Sequence, residues 1–228
     1  ETGFVETSFA DQLLLGLIVS GDDNEVQTGA TMRTVYGAVE VESESIIPTL
    51  KYKKQNLFFE GFDASLNASY NITQTRNIDT LTGVRYNWYG ETFETNSENN
   101  GEQGLANLLE QDDNEFNSQL NLSYLFNEKH SLSFNHAFQH FKRDEFDEVN
   151  LSVNEYYLPK SLAKNVFGLS YKYKISKDWT ASVFGKAYVL NVKASEQETN
   201  NVESTIPVSV DYSDIGYGMA TSYFLFKN

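Results

Sequence analysis

The feature that most constrains this chain is the alternation of apolar and polar residues within segments of about ten residues. Alternation with a period of two is typical of a β-strand whose two faces meet different surroundings. Residues 62–72 show it most clearly, reading FDASLNASYNI. A tilted strand of about 9–11 residues crosses a bilayer as part of a barrel. The pattern therefore predicts β-sheet of a kind whose strands are long enough to span a membrane.

The same alternation predicts nine strands separated by polar connections. These are residues 13–20, 32–41, 47–54, 62–76, 116–126, 131–141, 165–175, 179–192 and 217–226. Short connections are expected at residues 21–24, 42–45, 55–56, 127–130 and 176–178, and long polar loops at residues 77–115, 142–163 and 193–213. The turns from 55–56 onward fall at one end of the strands and the long loops at the other. Outer-membrane barrels have this asymmetry, with short periplasmic turns and longer extracellular loops.

Charge is distributed along the same axis. Lysines lie near the predicted turn side, at Lys51, Lys53, Lys54, Lys129, Lys172, Lys174, Lys177 and Lys227. The loop 77–115 is acidic, and no Lys or Arg occurs between Arg85 and Lys129. A net charge of −15 argues against a nucleic-acid partner, which requires clustered basic residues. The absence of cysteine excludes disulfides and thiol chemistry, and no apolar run is long enough for a transmembrane helix.

Several segments resemble the middle of the β-barrel of TonB-dependent outer-membrane receptors of the Bacteroidota type. They are residues 16–29 (GLIVSGDDNEVQTG), 34–39 (TVYGAV), 85–89 (RYNWY) and the pair Tyr217-Gly218. The resemblance extends over essentially the whole chain. It implies a barrel of about 22 strands closed by an N-terminal plug, which takes up metal chelates, vitamins or glycans with energy passed on by TonB.

The sequence departs from that family pattern, because it shows neither a plug, nor a TonB-contacting box, nor the terminal aromatic strand that closes the barrel. We therefore expect residues 1–228 to form nine or ten strands of a single antiparallel, up-and-down transmembrane β-barrel domain. The resemblance implies a bacterial outer-membrane location. Its expected partners are outer-membrane lipid, TonB through the missing plug region, and a small extracellular ligand. Leu66, Ala68 and Tyr70 should face lipid, and Ser65, Asn67 and Ser69 the lumen.

Aromatic residues in the predicted loops are the candidate ligand-binding residues. They are Arg85, Trp88 and Tyr89 in the first long loop, and Tyr156 and Tyr157 in the second. Aromatic side chains beside an arginine offer a stacking and hydrogen-bonding surface. Alternatively, they simply continue the strands above the membrane. The second interpretation is preferred for most of these residues, with Arg85 and Trp88 the best functional candidates.

Other chemistry finds little support in the sequence. The acidic segments 22–25 and 110–115 could hold Ca²⁺, but solvated acidic loops are the commoner arrangement. Of the three histidines, His130, His136 and His140, the last two are four residues apart, as zinc ligands on a helix would be, but they fall in a predicted strand, where that spacing separates them by about 13 Å. We find no catalytic triad or phosphate-binding loop, and predict no enzyme activity, metal or cofactor. Two alternatives stay open: a soluble secreted all-β carbohydrate-binding or adhesin domain, and a glycan-cleaving enzyme with two facing carboxylates.

Overall fold

The computed structural model describes residues 1–95, 98–156, 160–197 and 205–224, and within them the fold is all-β. The strands are β1 (Thr2–Val5), β2 (Gln12–Glu25), β3 (Glu40–Lys54), β4 (Phe62–Asp79), β5 (Val84–Tyr86), β6 (Thr92–Glu94), β7 (Asn107–Asn127), β8 (His130–Asp147), β9 (Lys160–Lys174), β10 (Trp179–Gln197) and β11 (Thr205–Tyr223). A short 3-10 helix, Leu151–Tyr156, follows β8. In the described part of the chain, no helix is long and apolar enough to cross a bilayer.

Nine of these strands form one antiparallel sheet, in the order β1-β2-β3-β4-β7-β8-β9-β10-β11. Each strand pairs with its neighbour along the chain, apart from the separate hairpin β5–β6, which is inserted between β4 and β7. The predicted antiparallel, up-and-down arrangement is therefore confirmed. The sheet is open, because β1 and β11 are its two edges and do not pair with each other.

One predicted strand is wrong, although the main sheet does contain nine strands; the short strands β5 and β6 were not predicted. Residues 32–41 do not form a ladder: the chain reverses near Met32, whose φ is 54°, and pairing with the sheet begins only at Glu40. Before that, Val35 makes isolated bridges to Thr28 and Tyr86. The ninth strand is instead β1, whose four residues are too few to show an alternating pattern.

The predicted connections are also too long at the end of the strands where the long loops were expected. Residues 21–24 and 42–45 were expected as turns, but they belong to β2 and β3. The loops 77–115, 142–163 and 193–213 shrink because β4, β7, β8, β9, β10 and β11 all extend into them. In extensions such as residues 42–45 both faces are polar, so hydrophobic alternation disappears, whereas residues 205–213 of β11 do alternate, with Ile206, Val208 and Val210 on one face. Cross-strand polar pairs take over, as between Ser45 and Thr73, whose hydroxyl oxygens lie 2.6 Å apart.

The two ends of the strands are nevertheless as unequal as predicted. At one end, which we call the turn edge, the strands are joined by residues 6–11, 55–61, 128–129 and 175–178. At the other, the loop edge, the described connections are residues 26–39, 80–95 with 98–106, and 148–156; residues 96–97, 157–159 and 198–204 are outside the described part of the chain. The lysines that the sequence analysis assigned to the turn side lie near the turn edge as expected, apart from Lys227, which is outside the described residues.

The sheet is a single layer, and its central strands β4, β7 and β8 have one apolar and one polar face; on β10 and β11 the second face also carries apolar residues, such as Val192 and Val210. Leu66 pairs with Tyr52 and Leu120 on the apolar face, whereas Asn67 pairs with Lys51 and Gln119 on the polar face. Apolar side chains of the first face stay open to solvent: Leu17 is 63% exposed and Met219 is 83% exposed. Among the described residues, no second layer of β-sheet covers this face.

The apolar band crosses the sheet obliquely. On β2 it ends at Val19, beyond which Gly21 and Asp23 occupy the same face. Strand pairing aligns Val19 with one residue on each of the following strands. In order across the sheet, these residues are Ile46, Ile72, Asn114, Lys142, Ser161, Lys193 and Ser209. On β11, however, the last apolar residue of that face is Ile215, six residues farther along the strand.

This displacement measures the tilt of the strands. Six residues at ~3.3 Å, over seven strand spacings of ~4.8 Å, place the strands about 30° from the normal of the band. The turn edge is displaced in the same direction. Strand pairing aligns Gln12, the first residue of β2, with Gly216 of β11, but β11 continues beyond Gly216 to Tyr223. The apolar band and the turn edge therefore run roughly parallel across the sheet.

Aromatic side chains line the turn edge. Tyr124 contacts the rings of Phe59, Phe62 and Phe126, at centroid distances of 5.0, 6.4 and 4.4 Å. Farther along the same edge, His130 stacks on Tyr173 and Trp179 packs against Tyr223. These rings border the apolar band on its turn side.

Candidate ligand-binding platform at the loop edge

Two connections of the loop edge dock on each other. Residues 26–39 fold back on themselves through the bridge between Thr28 and Val35, and Val35 also bridges to Tyr86 in the connection 80–106. Gly37 lies against the Tyr86 ring so closely that a Cβ atom there would sit 2.4 Å from it. The two connections, residues 26–39 and 80–106, therefore form one packed unit at the loop edge, which we call the platform.

Two buried carboxylates hold this unit together, and we call Asp79 and Glu102 the carboxylate clamp. Asp79, which ends β4, accepts hydrogen bonds from the backbone N–H groups of Glu102 and Gln103 at 2.6 and 2.7 Å. The Glu102 carboxylate accepts from the backbone N–H groups of Gly37 and Ala38 at 2.9 and 2.7 Å. Asp79 is 0% and Glu102 4% exposed, so these bonds offset a desolvation that would otherwise be costly.

A third buried carboxylate organises the next connection. Asp147 ends β8 and accepts hydrogen bonds from the backbone N–H groups of Leu108, Val149 and Asn150. Its own backbone N–H donates to the side-chain oxygen of Asn154, within the 3-10 helix. The start of this connection is thereby fixed to both β7 and β8.

The hairpin β5–β6 carries three of the predicted ligand-binding residues. At its tip the Asn87 side-chain oxygen accepts from the backbone N–H groups of Tyr89 and Glu91, at 2.9 and 3.0 Å. Trp88 and Tyr89 are 63% and 90% exposed. The Arg85 guanidinium donates to the Val84 carbonyl at 3.2 Å. The tip therefore presents an adjacent aromatic pair to solvent on a defined turn.

The other two predicted residues cannot be added to this group. Tyr156 ends the 3-10 helix, but its side chain is outside the described part of the structure. Tyr157 is itself outside the described residues. The structure thus brings Arg85, Trp88 and Tyr89 onto one hairpin, and leaves Tyr156 and Tyr157 as predictions.

The acidic segments considered as Ca²⁺ sites have a different structure from the one expected. Residues 22–25 and 110–115 lie within β2 and β7, where successive carboxylates point to opposite faces. The described residues contain no group of three or more potential metal-ligating side chains. Some of these carboxylates pair with arginine instead: Arg143 binds Asp113 through two bonds of 2.7 and 2.6 Å, and Arg76 Nε lies 3.0 Å from Glu110 Oε1.

A shallow trough of ≈ 610 Å³ lies in the middle of the polar face. Its polar lining includes Lys51, Asn67, Ser69, Asn117, Gln119 and Lys164. Such amide, hydroxyl and ammonium groups can exchange hydrogen bonds with water or a polar solute. The trough lies toward the turn edge from the platform, on the face that the sequence analysis assigned to the lumen.

Sequence reasoning missed the three buried carboxylates. It treated the acidic loop residues as solvated, and nothing in their local sequence marks Asp79, Glu102 or Asp147 as different from their neighbours. The only signal was indirect: Gly37 and Gly101 stand where backbone must approach another group closely.

Comparison with known proteins gives no assignment, since the chain matches no family model, no curated protein and no solved structure.

Proposed function

We propose that this sheet is part of the wall of a bacterial outer-membrane β-barrel, and that the barrel belongs to a TonB-dependent receptor for a scarce extracellular ligand. The observation that carries the proposal is the oblique apolar band on a sheet one layer thick. Strands of membrane barrels are tilted by about 35–45° and carry an apolar band about 25 Å tall. The tilt of about 30° estimated from the register is close to that range.

The height of the band supports the same proposal. On β4 the apolar face runs from Phe62 to Ile72, which is ten residue steps. At ~3.3 Å per residue and a tilt of about 30°, this corresponds to a height of roughly 29 Å. That value is comparable to the hydrocarbon thickness of a bilayer, about 30 Å. The aromatic border at the turn edge resembles the interfacial girdle of such barrels.

The loop edge supports a receptor rather than a purely structural wall. In this proposal the platform faces the outside of the cell, and Trp88 and Tyr89 offer flat apolar surfaces to a ligand that contains rings. The trough on the polar face lies along the path that a solute would follow toward the periplasm. The ligand class proposed is the one implied by the resemblance: a metal chelate, a vitamin or a glycan. TonB would act through the plug region of the receptor.

The alternative, a soluble all-β binding domain, requires something to cover the apolar face. In β-sandwiches that role belongs to a second sheet packed about 10 Å away. In the described part of the chain, the two-stranded hairpin β5–β6 is the only β-sheet apart from the main one. This observation favours the membrane proposal over the sandwich.

The proposal is tested with arginine on each face of one strand. Leu66→Arg places a charge in the middle of the apolar face, and we expect it to cost about 2–4 kcal/mol of folding free energy in a bilayer. The matched control Asn67→Arg is on the polar face and should cost far less. Both variants are compared with the parent by folding into phospholipid vesicles and unfolding in denaturant.

Two results would count against the proposal. Equal costs for the two variants would show that the faces do not meet lipid and lumen. Recovery of the protein in the aqueous fraction of cells, without detergent, would rule out the membrane location altogether.

A further inference from the structure

We propose that Asp79 and Glu102 are positioning residues for the β5–β6 hairpin, and that they hold Trp88 and Tyr89 in a fixed orientation at the loop edge. The purpose assigned to them, ligand capture, rests on the proposed function. Their effect on the hairpin does not, and it can be measured without any ligand.

The hairpin needs support from outside itself. Each of its strands has only three residues, and an isolated two-stranded hairpin is marginally stable in water. Its aromatic tip is largely exposed, and therefore contributes little packing of its own. Whatever holds the tip in place must act through the paired strands of the hairpin, and Tyr86 is the β5 residue next to the tip.

The first step in that support joins the sheet to the turn at residues 99–106. Asp79 belongs to β4 and accepts the N–H groups of Glu102 and Gln103. A Cβ atom at Gly101 would lie 2.4 Å from Asp79 Oδ1, so the turn can approach the carboxylate only because this residue is glycine. The turn is therefore fixed relative to a paired strand.

The second step joins that turn to residues 26–39. The Glu102 side chain reaches the N–H groups of Gly37 and Ala38, which are 65 and 64 residues away in sequence. Hydrogen bonds to a charged acceptor are the stronger class, and burial keeps water from replacing them. The third step is contact: Val35 bridges to Tyr86, and Gly37 lies against its ring. A continuous path thus runs from β4 to the hairpin.

The test follows the mobility of Trp88 directly. The chain has two tryptophans, so Trp179→Phe leaves Trp88 as the only one, and its fluorescence anisotropy reports motion of the hairpin tip. Glu102→Ala and Gly101→Ala are made in this background, in the detergent-solubilised protein. We expect the anisotropy to fall and hydrogen exchange at Gly37 and Ala38 to accelerate by about tenfold or more, with no change in β7 or β8.

Matched controls come from the same connection. Glu98→Ala removes an exposed carboxylate close in sequence, and Gly104→Ala adds a Cβ where nothing lies within 4 Å. Both should leave Trp88 anisotropy and the exchange rates at their parent values.

Gly37→Ala keeps the two carboxylates but displaces Tyr86, and it should mobilise Trp88 as Glu102→Ala does.

The outcomes separate this inference from the proposed function. Unchanged Trp88 anisotropy in Glu102→Ala overturns the positioning role. Should that variant unfold the sheet, Gly37→Ala decides: a mobile Trp88 on an intact sheet supports the inference, and an immobile one overturns it. If Leu66→Arg and Asn67→Arg cost the same, the membrane proposal fails. A mobile Trp88 in Glu102→Ala would still establish the positioning role.

Discussion

At the turn edge, β7 and β8 are joined by residues 128–129 alone, whereas at the loop edge residues 80–106 separate β4 from β7. The turn edge is held by backbone turns and by aromatic ring contacts between neighbouring strands, such as those of Tyr124 with Phe59 and Phe62. The loop edge is held by buried carboxylates that reach backbone N–H groups up to 65 residues away. The difference teaches that one end of this sheet is stabilised by aromatic packing and the other by buried polar contacts, which must all be satisfied together.

The largest effect should come from the aromatic cluster of the turn edge. Tyr124→Ala removes contacts with three rings, each worth about 0.5–1.5 kcal/mol beyond area burial, so we expect a loss of about 2–3 kcal/mol. Phe93→Ala, an exposed ring of the loop-edge hairpin, should cost less than about 0.5 kcal/mol. Denaturant unfolding measures both, and comparable losses would contradict the contrast between the edges.

A smaller effect is expected from a pair of glycines with similar backbone angles. Gly61 at the turn edge has φ 83° and Gly90 at the loop edge has φ 76°, both unfavourable for other residues. A Cβ atom at Gly61 would also lie 2.6 Å from the Leu125 carbonyl, whereas at Gly90 nothing lies within 4 Å. Gly61→Ala should cost about 2 kcal/mol and Gly90→Ala about 1 kcal/mol. A larger loss at Gly90 would show that the hairpin tip, and not the turn, is the more constrained.

The smallest effect concerns Asp11, a turn-edge carboxylate that links two connections. A hydrogen bond from the Gln55 N–H, aided by the Lys54 ammonium, lowers the pKa of Asp11 below its ordinary value. Its contribution is present above the unfolded pKa and is lost as pH falls through the lowered folded value. Asp11→Asn should therefore destabilise the protein at neutral pH and converge with the parent in acid, as thermal melts would show. The exposed Glu60→Gln is the control, and a gap that persists in acid would contradict this account.

The sequence predicted best where one face of a strand is apolar. Residues 62–76 were expected as a strand and lie within β4, because alternation there follows the two environments directly. It failed in the polar extensions, such as residues 42–45, where both faces bear hydrophilic side chains and pairing depends on partners such as Thr73 and Thr75. Those partners are remote in sequence, so a local pattern cannot reveal them.

The site divides in the same way. Trp88 and Tyr89 were predicted as ligand-binding candidates because they are aromatic and lie near Arg85 in a predicted loop. The structure places both on one exposed turn, and their binding role stays a prediction. The clamp that supports them was not predictable, since Glu102 is one acidic residue among many in an acidic loop. Its role depends on Gly37 and Ala38, which become its neighbours only after the chain has folded.

The slope of the apolar band determines the shear number that a closed barrel with this strand stagger would have. Six residues of displacement over seven strand steps is a stagger of roughly 0.9 residue per strand, so the shear number of the closed wall would be close to its strand number, as in the eight-stranded barrel with shear 8 and a tilt of about 36°. In a wall with this stagger, the strands wind around the barrel axis. A solute that moved along the barrel axis would pass side chains contributed by successive strands, and would not follow any single strand from the loop edge to the turn edge.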